Sequence, residues 1–453
     1  MHRPMTQRLA LFSPRVMLPA ASLSLLALAG GNAQAQSLKA LYEAARAYDA
    51  TYLAARALAD SAQYKAAQAE ALKLPGVQLT GSASKVETNL PGNNNTTLDN
   101  QTLTLEGSYP LYNRANNASY SQAQRALDIA AADLALAEQD LVVRVAQAYF
   151  DVLAAQDTLA AAQATKKAYG EQLASARRNF EVGTATITDT REAQARFDLG
   201  TARELVAEND LRTKRVALDQ LVGRAGVAPR PLAQPVALPP VVPAAAEDWL
   251  AQAEQAHPGI RKAQLGLEVA KLETEKAQAG HYPTVSLIGR LQGSNSLGTA
   301  ITDSFGRAGA TGTTTVGVQV AVPIFSGYAV QNRVKETLVL EDKSRQDLEG
   351  ARRSVSLGTR SAFLGVQSLQ GQVKALEAAE ASTKLALEAT QLGYRVGVRV
   401  NLDVLNAQSQ LYDTQRDLAK ARYDTLVTGL KLRQAAGLLQ PGDVDALEAL
   451  LQR

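Results

Sequence analysis

The feature that most limits how this chain can fold is an internal duplication. Leu72-Lys73-Leu74-Pro75 returns as Gly280-His281-Tyr282-Pro283, an offset of 208. Tyr109-Pro110-Leu111-Tyr112 returns as Val322-Pro323-Ile324-Phe325 at an offset of 213. Phe180-Glu181-Val182-Gly183 returns as Tyr394-Arg395-Val396-Gly397, and Leu221-Val222-Gly223 as Ala435-Ala436-Gly437, both at 214. A nearly constant offset marks one supersecondary unit used twice. The spacing divides the chain into a first repeat (36–245), a second repeat (246–437) and a tail (438–453). Each repeat reads as helix, two strands, long helix, turn, shorter helix.

No proline occurs from Leu111 to Ala228 or from Ile324 to Gln440. Proline breaks helix interiors, so both runs permit long helices, predicted at about 114–180 and 187–223, and at about 328–394 and 401–436. Apolar or small residues recur at three-four spacing through Leu127, Ala130, Leu134, Ala137, Leu141, Val145, Ala148, Val152, Ala155, Leu159 and Ala162. The second repeat matches with Leu348, Ala351, Val355, Gly358, Ala362, Val366, Leu369, Val373 and Leu376. This is a coiled-coil seam, with one inserted four-step in each repeat that locally unwinds the supercoil. A plain antiparallel bundle shows the same period. A helix over 114–178, however, is about 100 Å long, which points to an elongated body.

Four strands are predicted, at about 77–88, 101–109, 284–294 and 312–322. Val77, Leu79, Gly81 and Ala83 alternate with Gln78, Thr80, Ser82 and Ser84, and Leu103, Leu105, Gly107 and Tyr109 with Thr102, Thr104, Glu106 and Ser108. Val285, Leu287, Gly289 and Leu291, then Val316, Val318, Val320 and Val322, follow the same pattern. A period of two with one apolar side is the signature of a membrane barrel strand, and a half-buried soluble sheet also gives it. Asn93, Asn94 and Asn95, and the Gly/Thr-rich stretch 295–311, read as the connecting loops. Four strands cannot close a pore, and open edges are not tolerated in lipid, so several chains must share one barrel. Three chains give twelve strands and twelve helical tracks; closure alone admits other copy numbers.

Composition removes other classes. There is no Cys, and the three His (His2, His257, His281) lack metal-ligand spacing, so no metal or cofactor is expected. The net charge of +3 and 5% aromatic content do not suit a nucleic-acid partner. No phosphate-binding G-x-x-x-x-G-K-[ST] loop is present, so any energy for transport comes from elsewhere. Arg3, Arg8 and Arg15, the apolar run 18–29 and Ala33-Gln34-Ala35 read as a signal peptide over 1–35. No later segment has the run of apolar residues a spanning helix needs.

Gly393-Tyr394-Arg395-Val396-Gly397, Asn401-Leu402-Asp403-Val404-Leu405-Asn406-Ala407, Leu411-Tyr412 and Ala419-Lys420-Ala421-Arg422-Tyr423, with the first-repeat counterpart Asn179-Phe180-Glu181-Val182-Gly183 and Ile187-Thr188-Asp189, resemble the TolC family of outer-membrane efflux and secretion channels. The resemblance covers the chain from about Ser37 onward. It implies a mainly α fold with a β-barrel part: a homotrimer with a twelve-stranded barrel in outer-membrane lipid and a twelve-helix periplasmic barrel. The Pro-rich stretch 229–243 and the C-terminal tail would form a girdle around it. The implied activity is a non-enzymatic exit duct. Its partners would be a periplasmic adaptor (membrane fusion) protein and an inner-membrane ABC or proton-driven transporter, serving type I protein secretion or multidrug efflux. By the same resemblance, Thr188, Asp189, Tyr394 and Arg399 hold neighbouring hairpins closed, and Asp403 forms an acidic ring in the pore. Asn406 stands where a second Asp is common, which leaves one carboxylate ring. Val182, Gly183, Thr184, Val396, Gly397 and Val398 match the tips that meet the adaptor. Taken from the residues alone, Asp189 reads as well as a helix-capping residue, Asp403 more as a gate residue than a cap, Tyr394 as a packing residue, and the glycines as helix C-caps. A periplasmic coiled-coil scaffold remains the rival reading, though it has no need of four alternating strands.

Overall fold

The computed structural model describes residues 36–90, 94–236, 238–298 and 309–452. The expected signal peptide and most of the two loops therefore lie outside the described residues.

The order of elements repeats as the sequence predicts, with one difference. The opening helix of each repeat is two helices. These are α1 (Leu38–Tyr48) and α2 (Ala50–Ala71) in the first repeat, and α5 (Ala246–Ala256) and α6 (Pro258–Gln278) in the second. The break falls at Asp49 and at His257, residues 208 apart like the prolines that follow. Each takes an extended backbone, and its side chain accepts the N–H of the new helix, from Tyr52 and from Gly259. The apolar period continues across the break, so periodicity does not reveal it; the cap does.

The strands β1 (Gly76–Leu90), β2 (Asn94–Tyr112), β3 (Thr284–Gly298) and β4 (Gly309–Ala321) form one antiparallel sheet in the order β1-β2-β3-β4. They run further than predicted at the loop ends. Asn94 and Asn95 are part of β2, because backbone pairing continues after the polar-apolar alternation has stopped. The β2–β3 pairing joins the two repeats. β1 and β4 are left as edges.

From the sheet descend α3 (Arg114–Glu181, 68 residues) and α7 (Ala329–Arg395, 67 residues), each about 100 Å long. Each returns through a tight turn into a shorter helix, α4 (Ile187–Val222) or α8 (Asn401–Ala435). Near the sheet α3 packs on α2 and α6, and α6 on α7; near the turns α3 packs on α4 and α8, and α8 on α7. The result is a wall with α2 and α4 at one edge and α7 at the other.

The main core is a girdle at mid-height. Leu141, Val145, Tyr149, Phe150 and Val152 of α3 pack with Leu38 and Leu41 of α1, Leu218 of α4 and Leu426 and Leu430 of α8. The Pro-rich stretch and the tail complete it. The Leu451 backbone bridges to Leu232, Gln452 N–H donates to the Pro231 carbonyl, and Val444 and Leu447 of α9 (Asp443–Glu448) are buried. The Tyr149 hydroxyl donates to the Arg230 carbonyl at 2.9 Å and accepts the Arg230 N–H at 2.7 Å, fixing the stretch to α3. The predicted α3 seam enters this core at Leu141, Val145, Val152 and Ala155; on α7, Leu348, Val366 and Val373 are buried but Gly358 is exposed.

Candidate pore and gate

The sheet has two unlike faces. Register partners share a face, so successive rows can be read across the strands. One row is Gln78, Glu106, Arg290 and Thr315, and the next on that face is Thr80, Thr104, Gln292 and Thr313. Arg290 Nη2 donates to Glu106 Oε2 at 3.0 Å, and the Ser294 and Thr311 hydroxyls lie 2.7 Å apart. The opposite face carries Val77, Gly107, Gly289 and Val316, then Leu79, Leu105, Leu291 and Thr314. Nothing among the described residues covers it: Leu79 is 65% exposed and Val316 77%. Among the described residues no helix is long and apolar enough to cross a membrane.

Aromatic side chains gather where sheet meets helices. Tyr109, Tyr112, Tyr282, Phe325 and Tyr328 are all exposed there, the Arg114 guanidinium lies 4.7 Å from the Tyr282 ring centroid, and Phe325 meets Tyr328 edge-on. Such a belt marks a membrane–water boundary. In the sequence Tyr109–Tyr112 and Val322–Phe325 stand out as repeat markers and not as a belt. The signal was the pile-up of aromatics at strand ends in a chain with few.

At the far end the two turns are built alike. The Gly183 N–H donates to the Phe180 carbonyl and Thr184 N–H to Asn179; Gly397 N–H donates to Tyr394 and Val398 N–H to Gly393. Gly183 and Gly397 have φ of 76° and 81°, the left-handed conformation that favours glycine. Both are Schellman caps, and they present Val182, Val396 and Val398 to solvent.

The helices that follow the turns differ. Thr186 and Asp189 form a capping box at the start of α4. Thr186 Oγ1 accepts the Asp189 N–H at 3.2 Å, and Asp189 Oδ2 accepts from the Thr186 N–H at 2.9 Å and hydroxyl at 2.8 Å. Those bonds hold the Asp189 carboxyl below the usual carboxylate range. The equivalent N-cap of α8 is Val400, whose side chain has no polar atom to cap the helix. Asp403, in the place of Asp189, is left without a hydroxyl partner. Arg399 Nη1 stands 3.6 Å from its Oδ2, an exposed pair of small worth to stability. The Arg399 side chain lies across Gly393, where a Cβ would come within 2.8 Å of Arg399 Cγ. Tyr394 is half-buried on the same hairpin; Asn406 and Thr188 are exposed.

Tyr394, Arg399, Asp403 and Asn406 thus share one hairpin, and Thr188 and Asp189 share the other. Among the described residues no hydrogen bond or ion pair joins the hairpins at their tips within one chain. No group of His, Asp and Glu suited to a metal ion is found among them either.

The sequence profile described as "Outer membrane efflux protein" matches residues 33–224 and 249–438. Those two spans follow the duplication. The chain is 31% identical over 420 residues to the outer membrane protein TolC of Vibrio cholerae serotype O1, covering 92% of this chain and 94% of that one. It is 31% identical over 443 residues to the proteases secretion protein PrtF of Dickeya chrysanthemi, covering 94% of each. The crystal structure of the outer membrane protein VceC from Vibrio cholerae superposes with a TM-score of 0.74 at 20% identity, over 88% of this chain and 96% of that one.

Proposed function

The chain belongs to the outer membrane efflux protein family and is an outer-membrane export duct, and from that premise we propose that three copies form one continuous tunnel. The observation that carries this reading is the two-faced sheet with two unpaired edges, continuous with a helical wall that also has two free edges. Edges of this kind are satisfied by further copies in a closed ring, which in lipid is obligatory. The apolar face then meets lipid and the Glu106–Arg290 face lines the lumen.

The tunnel is gated at the turns. Thr188, Asp189, Tyr394 and Arg399 hold adjacent hairpins together. Asp403 contributes a single ring of carboxylates, and Asn406 does not add a second. Contacts of modest strength suit a gate, since a partner can exchange them for its own. The partner is a periplasmic adaptor that meets Val182–Thr184 and Val396–Val398. An inner-membrane ABC or proton-driven transporter supplies the energy. The protein performs no catalysis of its own and needs no cofactor or nucleic acid. The relatives' names span outer-membrane efflux and protease secretion, so the cargo is either a polypeptide or small molecules.

Single-channel conductance in a planar bilayer, measured beside native mass, tests this reading. The expected result is a trimer with small, stable conductance that rises several-fold when Tyr394→Phe and Arg399→Ser are combined. A soluble species that forms no pores would overturn it in favour of a periplasmic scaffold.

A further inference from the structure

The two repeats build their helix breaks with different chemistry. At the first, Asp49 Oδ2 accepts the Tyr52 N–H at 2.8 Å, and the Arg144 guanidinium holds both carboxylate oxygens. At the second, 208 residues on, His257 Nδ1 accepts the Gly259 N–H at 3.0 Å. Each side chain caps the helix that follows, α2 or α6. A carboxylate remains an acceptor well into acid. An imidazole nitrogen accepts only while it carries no proton, and its ordinary pKa of about 6.5 lies close to neutrality.

The surroundings of His257 tie its protonation state to packing. A proton on Nδ1 would turn the acceptor into a donor facing the Gly259 N–H. It would also place positive charge at the N-terminus of the 21-residue α6, where the helix dipole opposes it. The joint is tight: Gly437, which ends α8, sits on the His257 backbone, and a Cβ there would lie 2.4 Å from His257 Cα and 3.0 Å from Pro258 Cδ. No counter-charge stands ready for a protonated ring. Glu254 of α5 faces Arg352 of α7 at 4.0 Å, and Arg352 reaches Glu349 at 2.7 Å. Lys262 of α6 pairs with Asp133 of α3 at 2.8 Å, Arg261 of α6 is exposed, and Arg433 of α8 pairs with Asp443 at 3.1 Å. None of these groups acts on the half-buried imidazole, whose pKa burial holds below the ordinary histidine value. At Asp49, by contrast, the Arg144 hydrogen bonds favour the charged carboxylate.

We propose that His257 is an acid-released latch of the second repeat: protonation of its imidazole lets go of the N-terminus of α6 and loosens the seat of α8 on the joint, while the Asp49 latch of the first repeat holds. The neutral ring contributes its full stability above the unfolded pKa of about 6.5, and that contribution is lost as pH falls through the folded value. Asp49 has the same sign but a carboxylate's range, so its cap survives the acidity that opens the other. The duplicated fold thereby responds to mild acid in one half only. The half that responds carries, at the far end of α8, the helix start with Asp403. The inference concerns a joint within one chain and does not depend on how copies assemble.

The test is hydrogen–deuterium exchange of the full-length protein, read by mass spectrometry at about pH 7.5 and about pH 5. Peptides over 45–56 and 253–263 report the two joints, each referred to the same peptide unfolded at the same pH. The expected result is that protection over 253–263 falls by roughly two-fold or more in acid while that over 45–56 holds. His257→Asn keeps a capping oxygen that does not titrate, and should abolish the fall; His257→Asp, which copies the first repeat, serves where the amide variant does not fold. His281, the other histidine among the described residues, is exposed and stays in place as an internal control. An equal fall at both joints, no fall over 253–263, or a fall that persists in the His257 variants overturns the latch. Each of these outcomes leaves the duct reading standing, since conductance tests that separately.

Discussion

Gly223 lies against the face of Tyr48: a Cβ on the glycine would sit 2.4 Å from the ring carbon Cγ. The second repeat has the same joint, with Gly437 placed so that its Cβ would be 2.4 Å from His257 Cα. Both glycines end the returning helix of their repeat with positive φ, and both are seated at the break between that repeat's first two helices. Gly226 also has positive φ but has open space around it. Gly437→Ala is therefore expected to destabilise most, because backbone must move. Gly223→Ala should follow at about 2 kcal/mol, and Gly226→Ala at only about 1 kcal/mol from the left-handed conformation. Denaturant unfolding followed by circular dichroism checks the order. Equal losses at all three would show that the joints are not close-packed.

The Arg144 guanidinium grips both carboxylate oxygens of Asp49 at 3.0 and 2.8 Å and reaches Asp140 at 2.6 Å. Asp49 also caps α2, so it ties the helix break to α3. Its carboxyl is held below the usual range, chiefly by the Arg144 hydrogen bonds. A depressed carboxyl stabilises above its unfolded pKa of about 4, and the stabilisation is lost as pH falls through the folded value. Arg144→Met should cost about 1–3 kcal/mol at neutral pH and progressively less in acid. A deficit that does not shrink in acid would assign the loss to packing.

Asp157 behaves in the opposite sense. Burial pushes its carboxyl above the usual range, only partly opposed by the Tyr423 hydroxyl, which donates to Oδ2 at 2.7 Å. A raised carboxyl contributes stability below its unfolded pKa and loses it as pH rises through the folded one. Asp157→Asn keeps an acceptor for Tyr423 and removes the buried charge. It should equal or exceed the parent at about pH 7 and lose that advantage near pH 4. Unfolding midpoints at the two pH values decide, and a variant worse at both would mean that the carboxylate is needed ionised.

The two hairpin tips should respond differently to cap removal. Thr186→Ala deletes the capping box of α4 and should cost about 1 kcal/mol. Val400→Thr offers α8 the hydroxyl it lacks, and should draw Asp403 into a capping box like that of Asp189. If Asp403 forms the pore ring, the Val400→Thr channel should have weaker cation selectivity with little change in stability, read as a reversal-potential shift in a salt gradient. Unchanged selectivity would remove Asp403 from the ring.

In the barrel, Arg290 neutralises Glu106 from the next strand. Arg290→Ala leaves an unpaired carboxylate in each copy on the polar face. If that face lines the lumen, the reversal potential should move toward cation selectivity. A null shift would place the pair away from the ion path.

How much was legible in the sequence follows from what each pattern depends on. The duplication, the long helices and the four strands came from period, proline placement and glycine position, which are local consequences of backbone geometry. The tip turns were readable for the same reason: a Val-Gly pair ending an apolar track has few other solutions. The family resemblance gave the candidate gate residues, but not that Asp189 Oδ2 is engaged in a capping box while Asp403 is left with an exposed Arg399. That difference turns on one residue, Thr186 against Val400, and on where each helix starts. The break at Asp49 and His257 was hidden because the apolar period runs through it. The sequence by itself determined the repeated unit and its lengths, since those are set within a few turns of backbone. Which strands and helices lie at the edges, β1 and β4 of the sheet and α2, α4 and α7 of the wall, was decided only when the two repeats were set side by side, because strand order and helix neighbours are long-range contacts.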